Sequence, residues 1–275
     1  MSFRRVISQT HVVNYFQHIV SRKRLAHAYL LYGPEGVGKA LFARELAKAL
    51  FCQARGVASA SGGLPSNDAC DLCGPCRKVD SGTHPDLHRV TSPEGKRDIG
   101  INQIKDLEVL AYLKPLEADR RVFILEDADK MTMEAANCLL KTLEEPPPGT
   151  LFLLTTTSIP SLLPTIVSRC QTVRFQPLPI EVIKGLLSER ADLERYKGLA
   201  SLSCGSLGRA TRLMEERITS HIDRFLEILR ELRPEDNFSV TQELMKWCPD
   251  DTGLEGRRSL LRTWLDLLLA YYRDM

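Results

Sequence analysis

The sequence predicts an α/β fold: a phosphate-loop domain with a parallel sheet, followed by a helical region. Three observations carry this prediction. Uniformly apolar runs such as AYLLY (28–32), RVFILEDAD (121–129, ending in acids) and TLFLLTTT (150–157) alternate with helical periodicity, the pattern of strands buried on both faces by crossover helices. A glycine-rich stretch, GPEGVGKA (33–40), stands between the first of these runs and a helix, which is the context a phosphate loop requires. Beyond FQPLP (175–179) only helical periodicity remains, so a domain boundary falls near 178 with Pro177 and Pro179 as its hinge.

Composition bounds what such a fold does. With 275 residues, 43% hydrophobic and 26% charged, the chain has the makeup of an ordinary globular protein of about two domains. Its 37 Lys and Arg nearly balance 35 Asp and Glu, which argues against a strongly basic polyanion binder and leaves nucleic-acid contact to local patches. The opening MSFRRVISQTHVVNYF lacks the continuous apolar stretch of an export signal. The longest apolar run, LDLLLAYY at 265–272, is far short of the ~20 residues that span a bilayer. A cytoplasmic protein without a membrane partner is therefore expected, its eight cysteines reduced or metal-bound.

In order along the chain, Val12, Val13, Phe16, Ile19 and Val20 recur at helical spacing within 8–24, and the basic run SRKR closes that helix. A strand over 28–32, the glycine loop and a helix over 39–51 follow. Residues 54–69, rich in Gly, Ser and Ala, read as a flexible surface loop. A strand at 86–91 precedes a helix over 101–113 with Ile101, Ile104, Leu107 and Leu110 on its apolar face; then come the strand of 121–129 and a helix over 135–145 stopped by Pro146–Pro148. Strands at 150–157 and 172–175 complete the sheet, and helices are expected near 180–190, 193–202, 207–233, 238–247 and 254–273.

Four groups of residues could carry chemistry. Gly33, Gly36, Gly38 and Lys39 form the loop: glycines let backbone N–H groups approach phosphate oxygens, and the lysine offers a point charge to the outer phosphates. Ala40, however, stands where a Ser or Thr hydroxyl would ligate magnesium. The bland alternative is a glycine-rich turn with an exposed lysine. Glu126 and Asp127 end a buried strand, the place where such enzymes hold magnesium and polarise water. Their order, Glu before Asp, changes the reach of both carboxylates by about one methylene, and misplacement of order 1 Å costs ~100-fold in rate. Solvated acids at a strand end are the alternative. Arg169 in SRC (168–170) could stabilise charge in a neighbouring subunit's site, although one loop arginine is more often a surface charge.

The fourth group is Cys52, Cys70, Cys73 and Cys76, spaced C-x17-C-x2-C-x2-C. Two C-x2-C steps bring thiolates round one ion, and four sulfurs close a structural zinc site with no position left for water. Free or redox-active thiols are the alternative. Cys52 is the outlying ligand, separated from the others by the Gly/Ser loop. Cys138, Cys170, Cys204 and Cys248 are scattered and read as core fillers.

Taken in order, LAHAYLLYGPEGVGK, the four cysteines, GTHPD (82–86), AANCLLKTLEEPP (135–147) and SRC resemble the AAA+ subunits of bacterial DNA polymerase III clamp loaders over residues 1 to about 215. The resemblance implies a domain at 1–178 with a zinc module inserted at 52–76, a helical lid at 179–215, and a helical collar segment at 216–275 that is short for the family. It distinguishes two branches. ATP-hydrolysing gamma/tau subunits carry Gly-Lys-Thr, Asp-Glu and a lid Gly-Ser-Leu-Arg, where this chain has Lys39-Ala40, Glu126-Asp127 and Gly208 followed by Arg209. GTHPD sides with the delta-prime branch.

What the resemblance implies is a rather rigid stator in a five-membered ring, whose Arg169, positioned by Ser168 and Cys170, projects into an adjacent gamma/tau nucleotide site. Its own loop would at most hold ATP or ADP without turnover. Gamma/tau and delta subunits would be direct partners, the sliding clamp and primed DNA partners through the complex. An ATP-hydrolysing gamma/tau-like subunit is the alternative. The final helix, apolar on more than one face through Leu261, Trp264, Leu265, Leu268 and Tyr272, would pack on partner subunits or on a core of its own.

Overall fold

The computed structural model describes residues 2–54, 68–93, 98–188 and 203–215, together with Leu265. Five strands, β1 (Ala28–Tyr32), β2 (Leu87–Val90), β3 (Arg121–Leu125), β4 (Thr150–Thr156) and β5 (Gln171–Arg174), form one sheet in the order β2-β3-β4-β1-β5. Every pairing is parallel, with Ala28 opposite Phe152, Tyr29 opposite Gln171, Leu87 opposite Val122 and Arg121 opposite Thr150. The helices preceding β4 are α1 (Thr10–Ser21), α2 (Lys39–Phe51), α3 (Gly74–Asp80), α4 (Ile101–Ala111) and α5 (Met133–Glu144), and the short α6 (Pro164–Val167) precedes β5. This is the α/β parallel-sheet class expected from the apolar runs.

Both faces of the sheet are apolar, and successive strand residues feed opposite faces because side chains alternate along a strand. Tyr29, Leu31, Val122, Ile124, Leu151 and Leu153 pack with Phe16 of α1 and Phe42 and Leu46 of α2. Leu30, Phe123, Leu125, Phe152 and Leu154 pack on the other side with Ile104 and Leu107 of α4 and Leu139 and Leu143 of α5. The central β4 is buried along its whole length. Burying one such Leu or Phe contributes roughly 1.5–3 kcal/mol, so the two layers hold the sheet firmly and fix its C-terminal edge.

Several boundaries differ from expectation. β3 ends at Leu125, not 129: Asp127 takes a left-handed conformation, φ 51°, which leaves the ladder and which Asp tolerates better than most residues. An unexpected helix, α3, begins immediately after Cys73, with Pro75 in its first turn, where a missing N–H costs nothing.

The chain divides into two compact units, 1–176 and 177–275. In the second, α7 (Ile180–Ser188) and the helix Leu207–Glu215 share a small core of Leu178, Ile183, Leu187 and Ala210. The expected loop over 54–69 falls largely, and the helices at 193–202, 238–247 and 254–273 almost entirely, outside the described residues, as does most of the collar segment 216–275. Leu265, the described member of the last apolar helix, is exposed. Among the described residues no helix is long and apolar enough to cross a membrane.

Candidate functional site

Because β1, β3 and the β4 between them run parallel, the connections after β1 and after β3 leave the same, C-terminal edge of the sheet, where α/β folds bind ligands. The glycine loop leaves β1 there. Gly33, at φ 149°, lies so close to Phe175 that a Cβ would stand 2.4 Å from its carbonyl oxygen. Gly38, at φ 97°, is the N-cap of α2, and together these two positions let the backbone curl into the cradle; Gly36 turns between them at φ 70°. Lys39 is buried and turned inward: its Nζ donates to the Gly33 carbonyl at 2.7 Å and the Pro34 carbonyl at 2.6 Å. Burial pushes its pKa down, and the carboxylates of Asp127, Glu35 and Asp129 pull it back up. Ala40, half-buried beside it, offers no hydroxyl.

The acidic pair sits in the turn after β3, each member already engaged. Glu126 Oε1 accepts from Arg89 Nε at 3.0 Å and from Arg89 Nη2 at 2.6 Å. Asp127 Oδ2 accepts from Lys130 Nζ at 2.8 Å, and its backbone N–H donates to Thr155 Oγ1 at 3.0 Å. Sequence reasoning missed Asp129, whose Oδ1 accepts from the buried Thr156 hydroxyl at 2.7 Å. The polar TTT ending an otherwise apolar strand was the available signal: Thr155 and Thr156 tie β4 to the acidic turn.

Arg169 lies after α6, half-buried. Its Nη1 donates to the Thr165 carbonyl at 2.9 Å, and its Nη2 pairs with Glu144 at the end of α5. Ser168 Oγ also donates to Thr165 O, at 3.0 Å. Cys170 is buried, and burial raises its thiol to about 12. Cys138 is more than a core filler: its thiol donates to Glu108 Oε2, while Thr142 Oγ1 donates to Glu108 Oε1 at 3.0 Å, tying α5 to α4. In the second unit the Arg209 backbone N–H donates to Ser206 Oγ at 2.9 Å, in the first turn of the helix Leu207–Glu215.

The four cysteines come together. Their sulfurs all lie within 4.8 Å of one another, with Cys70 to Cys76 and Cys52 to Cys73 both 4.0 Å. A tetrahedral ion at ~2.3 Å from each sulfur puts the sulfurs ~3.8 Å apart, so the donor set fits. Cys52, the outlying member, is positioned as the C-cap of α2, and Cys73 as the N-cap of α3. Backbone N–H groups of Cys70 and Cys73 point at the sulfurs of Cys52 and Cys70 at 3.3 and 3.4 Å; such donors stabilise thiolate. Burial raises the thiols of Cys52 and Cys76, whereas at Cys70 burial is outweighed by backbone donors and its thiol falls to about 6.

GTHPD proves to be an anchoring device. Asp86 is fully buried, and its carboxylate accepts from the backbone N–H groups of Leu116, Glu117 and Ala118 at 2.7–2.9 Å, with Arg121 at 3.6 Å. Burial would raise its pKa, but these donors and the Arg121 charge hold it below the usual carboxylate range. His84 stacks on Phe51 at 4.2 Å, one residue before Cys52.

Comparison with known proteins agrees with these motifs. Residues 8–179 match the family model described as DNA polymerase III, delta subunit. Subunit delta′ of Bacillus subtilis is 32% identical over 271 residues, which cover 97% of this chain and 77% of the relative. Subunit delta′ of Pseudomonas aeruginosa is 35% identical over 216 residues, covering 77% and 62% respectively. Subunit tau of Bacillus subtilis is 29% identical, with 79% of this chain spanning 38% of that longer protein. The chain therefore belongs to the DNA polymerase III delta′ family of clamp-loader subunits.

Proposed function

We propose that this chain is a non-hydrolysing clamp-loader subunit that donates Arg169 to the nucleotide site of an adjacent gamma/tau subunit, in a complex with gamma/tau and delta that places a sliding clamp on primed DNA. The observation that carries the reading is the condition of the chain's own hydrolysis parts. Ala40 removes the metal-ligating hydroxyl, Lys39 is bonded to the loop's own carbonyls, and Glu126 and Asp127 are paired with Arg89 and Lys130. Each would have to break existing bonds to serve a nucleotide. Gly33, Gly36, Gly38 and Lys39 then act as retained scaffold that holds ATP or ADP at most. Arg169 keeps about a third of its side chain exposed, 32%, and Thr165, Ser168 and Glu144 hold its guanidinium in a defined place.

In the same reading Cys52, Cys70, Cys73 and Cys76 hold a structural zinc ion as thiolates, which rivets α3 to the end of α2 and leaves no ligand position for catalysis. The test of the functional reading is ATP turnover by the reconstituted loader with Arg169→Ala. Assembly should persist while turnover falls ~10³-fold, the range of arginine fingers elsewhere. Unchanged turnover refutes the finger. Turnover by the chain alone that is abolished by Lys39→Ala would instead establish a gamma/tau-like ATPase, the branch that the tau relative represents.

A further inference from the structure

Lys48 is a fully buried ammonium on α2, one turn before Cys52. A charge so placed is costly unless it is paired and hydrogen-bonded. Its partners are Asp71 at 2.5 Å and Asp80 at 2.7 Å, with Glu45 one helical turn back at 3.8 Å. These carboxylates outweigh the effect of burial and hold its pKa above the ordinary lysine value. Glu45 is itself fully buried and is approached by Arg5 and Arg44 at 3.4 and 3.5 Å.

The places of Asp71 and Asp80 in the chain give this cluster its meaning. Asp71 follows Cys70 in the knuckle turn and has a left-handed backbone, φ 64°. Asp80 is the last residue of α3, the helix that carries Cys76. One ammonium therefore grips both ends of the segment bearing three of the cysteines and fastens them to the helix whose C-cap is the fourth. None of these contacts uses a sulfur atom, so they are compatible with all four thiolates facing one ion.

We propose that Lys48 is the positioning residue of the zinc site, acting through Asp71 and Asp80 to bring Cys70, Cys73 and Cys76 onto Cys52 before the metal arrives. The inference rests on the zinc reading given above. Partners of metal ligands that act in this way are typically worth 10–100-fold in metal affinity. Lys48 does so through a carboxylate neighbouring the ligand in sequence and not through the ligand itself.

The test uses the full chain, first with its metal content measured, then with zinc affinity read by competition against a chromogenic chelator. Wild type should hold one zinc. Asp71→Asn, which keeps the side-chain size and an Asn-compatible left-handed backbone, should weaken zinc about 10-fold and lower the melting temperature of the zinc-loaded protein more than that of the zinc-free protein. Lys48→Met should weaken zinc 10–100-fold, and the double variant should lose little more than Lys48→Met alone, because the two residues act as a unit. Affinities within twofold of wild type in both variants would overturn the proposal while leaving the zinc site standing. So would fully additive losses, or a stability loss equal with and without zinc, which marks Lys48 as a packing residue only. A wild-type protein without metal would sink the zinc reading and this proposal together.

Discussion

The two ends of α2 make different use of one rigid helix. At its N-terminus the glycine loop has the backbone of a nucleotide site, yet Lys39, Glu126 and Asp127 are each satisfied by groups of this chain. At its C-terminus Cys52 meets three further sulfurs, backbone donors point at the sulfurs of Cys52 and Cys70, and Lys48, His84 and Asp86 brace the surroundings. At the first end the charged side chains are bonded to other groups of the same chain. The second is assembled down to its supporting contacts. A motif in the sequence thus reports backbone geometry more reliably than it reports chemistry, because chemistry depends on what the side chains are already bonded to.

The contrast is open to experiment. The largest effect is expected at the cysteine end: stripping metal with a strong chelator, or Cys76→Ser, should lower the melting temperature by about 10 °C, equivalent to ~3 kcal/mol at 2–4 °C per kcal/mol for a chain of this size. Amide exchange should localise the loosening to α3 and the last turn of α2, with the sheet still protected. Loosening that began at the glycine loop instead would erase the distinction between the two ends.

Asp86→Asn should cost about 2–4 kcal/mol, since it disturbs three backbone hydrogen bonds to a buried carboxylate and weakens the pairing of buried Arg121. The sign with pH follows from the depressed carboxylate. Its contribution is complete above the unfolded value near 3.9 and is lost as pH falls through the lower folded value. Denaturant titrations at pH 7 and pH 3 should therefore show the wild type approaching the variant in acid. A gap that stays constant would mean the anchor does not work through its charge.

The smallest effect is expected at the glycine end. Ala40→Thr restores the missing hydroxyl, but Glu126 remains on Arg89 and Asp127 on Lys130, so ATP turnover by the chain alone should stay at background. Turnover gained from that single change would show the loop to be one residue short of a motor.

Much of this was legible in advance where backbone and hydrophobicity decide. The span 39–51 of α2 was readable because a glycine N-cap, an apolar face and a cysteine that ends the run all coincide. β1, β3 and β4 followed from continuous apolar runs set between helical segments, whereas β2 and β5 are short and only partly buried. β3 was read too long because the acids after Leu125 continue the sequence of a strand end, whereas the left-handed turn at Asp127 depends on Thr155 from β4 and Lys130. α3 was missed because Gly74-Pro75 between cysteines reads as a turn, although Pro at the first turn also opens helices. GTHPD was recognisable only as a signature. Its work, catching the chain at 116–118 and stacking on Phe51, is long-range and leaves no local pattern. Lys48 left a faint trace, a Glu45–Lys48 pair at i, i+3 one turn ahead of Cys52.

Cys170 has a practical meaning of its own. Alkylating reagents attack thiolates, and this thiol is both buried and held protonated far above neutral pH. It reacts only when the end of α6 and the start of β5 come apart. Placed directly after Arg169, it is a native chemical clock for how often the segment presenting that arginine opens, and the free energy of that opening can be read without adding any label to the chain.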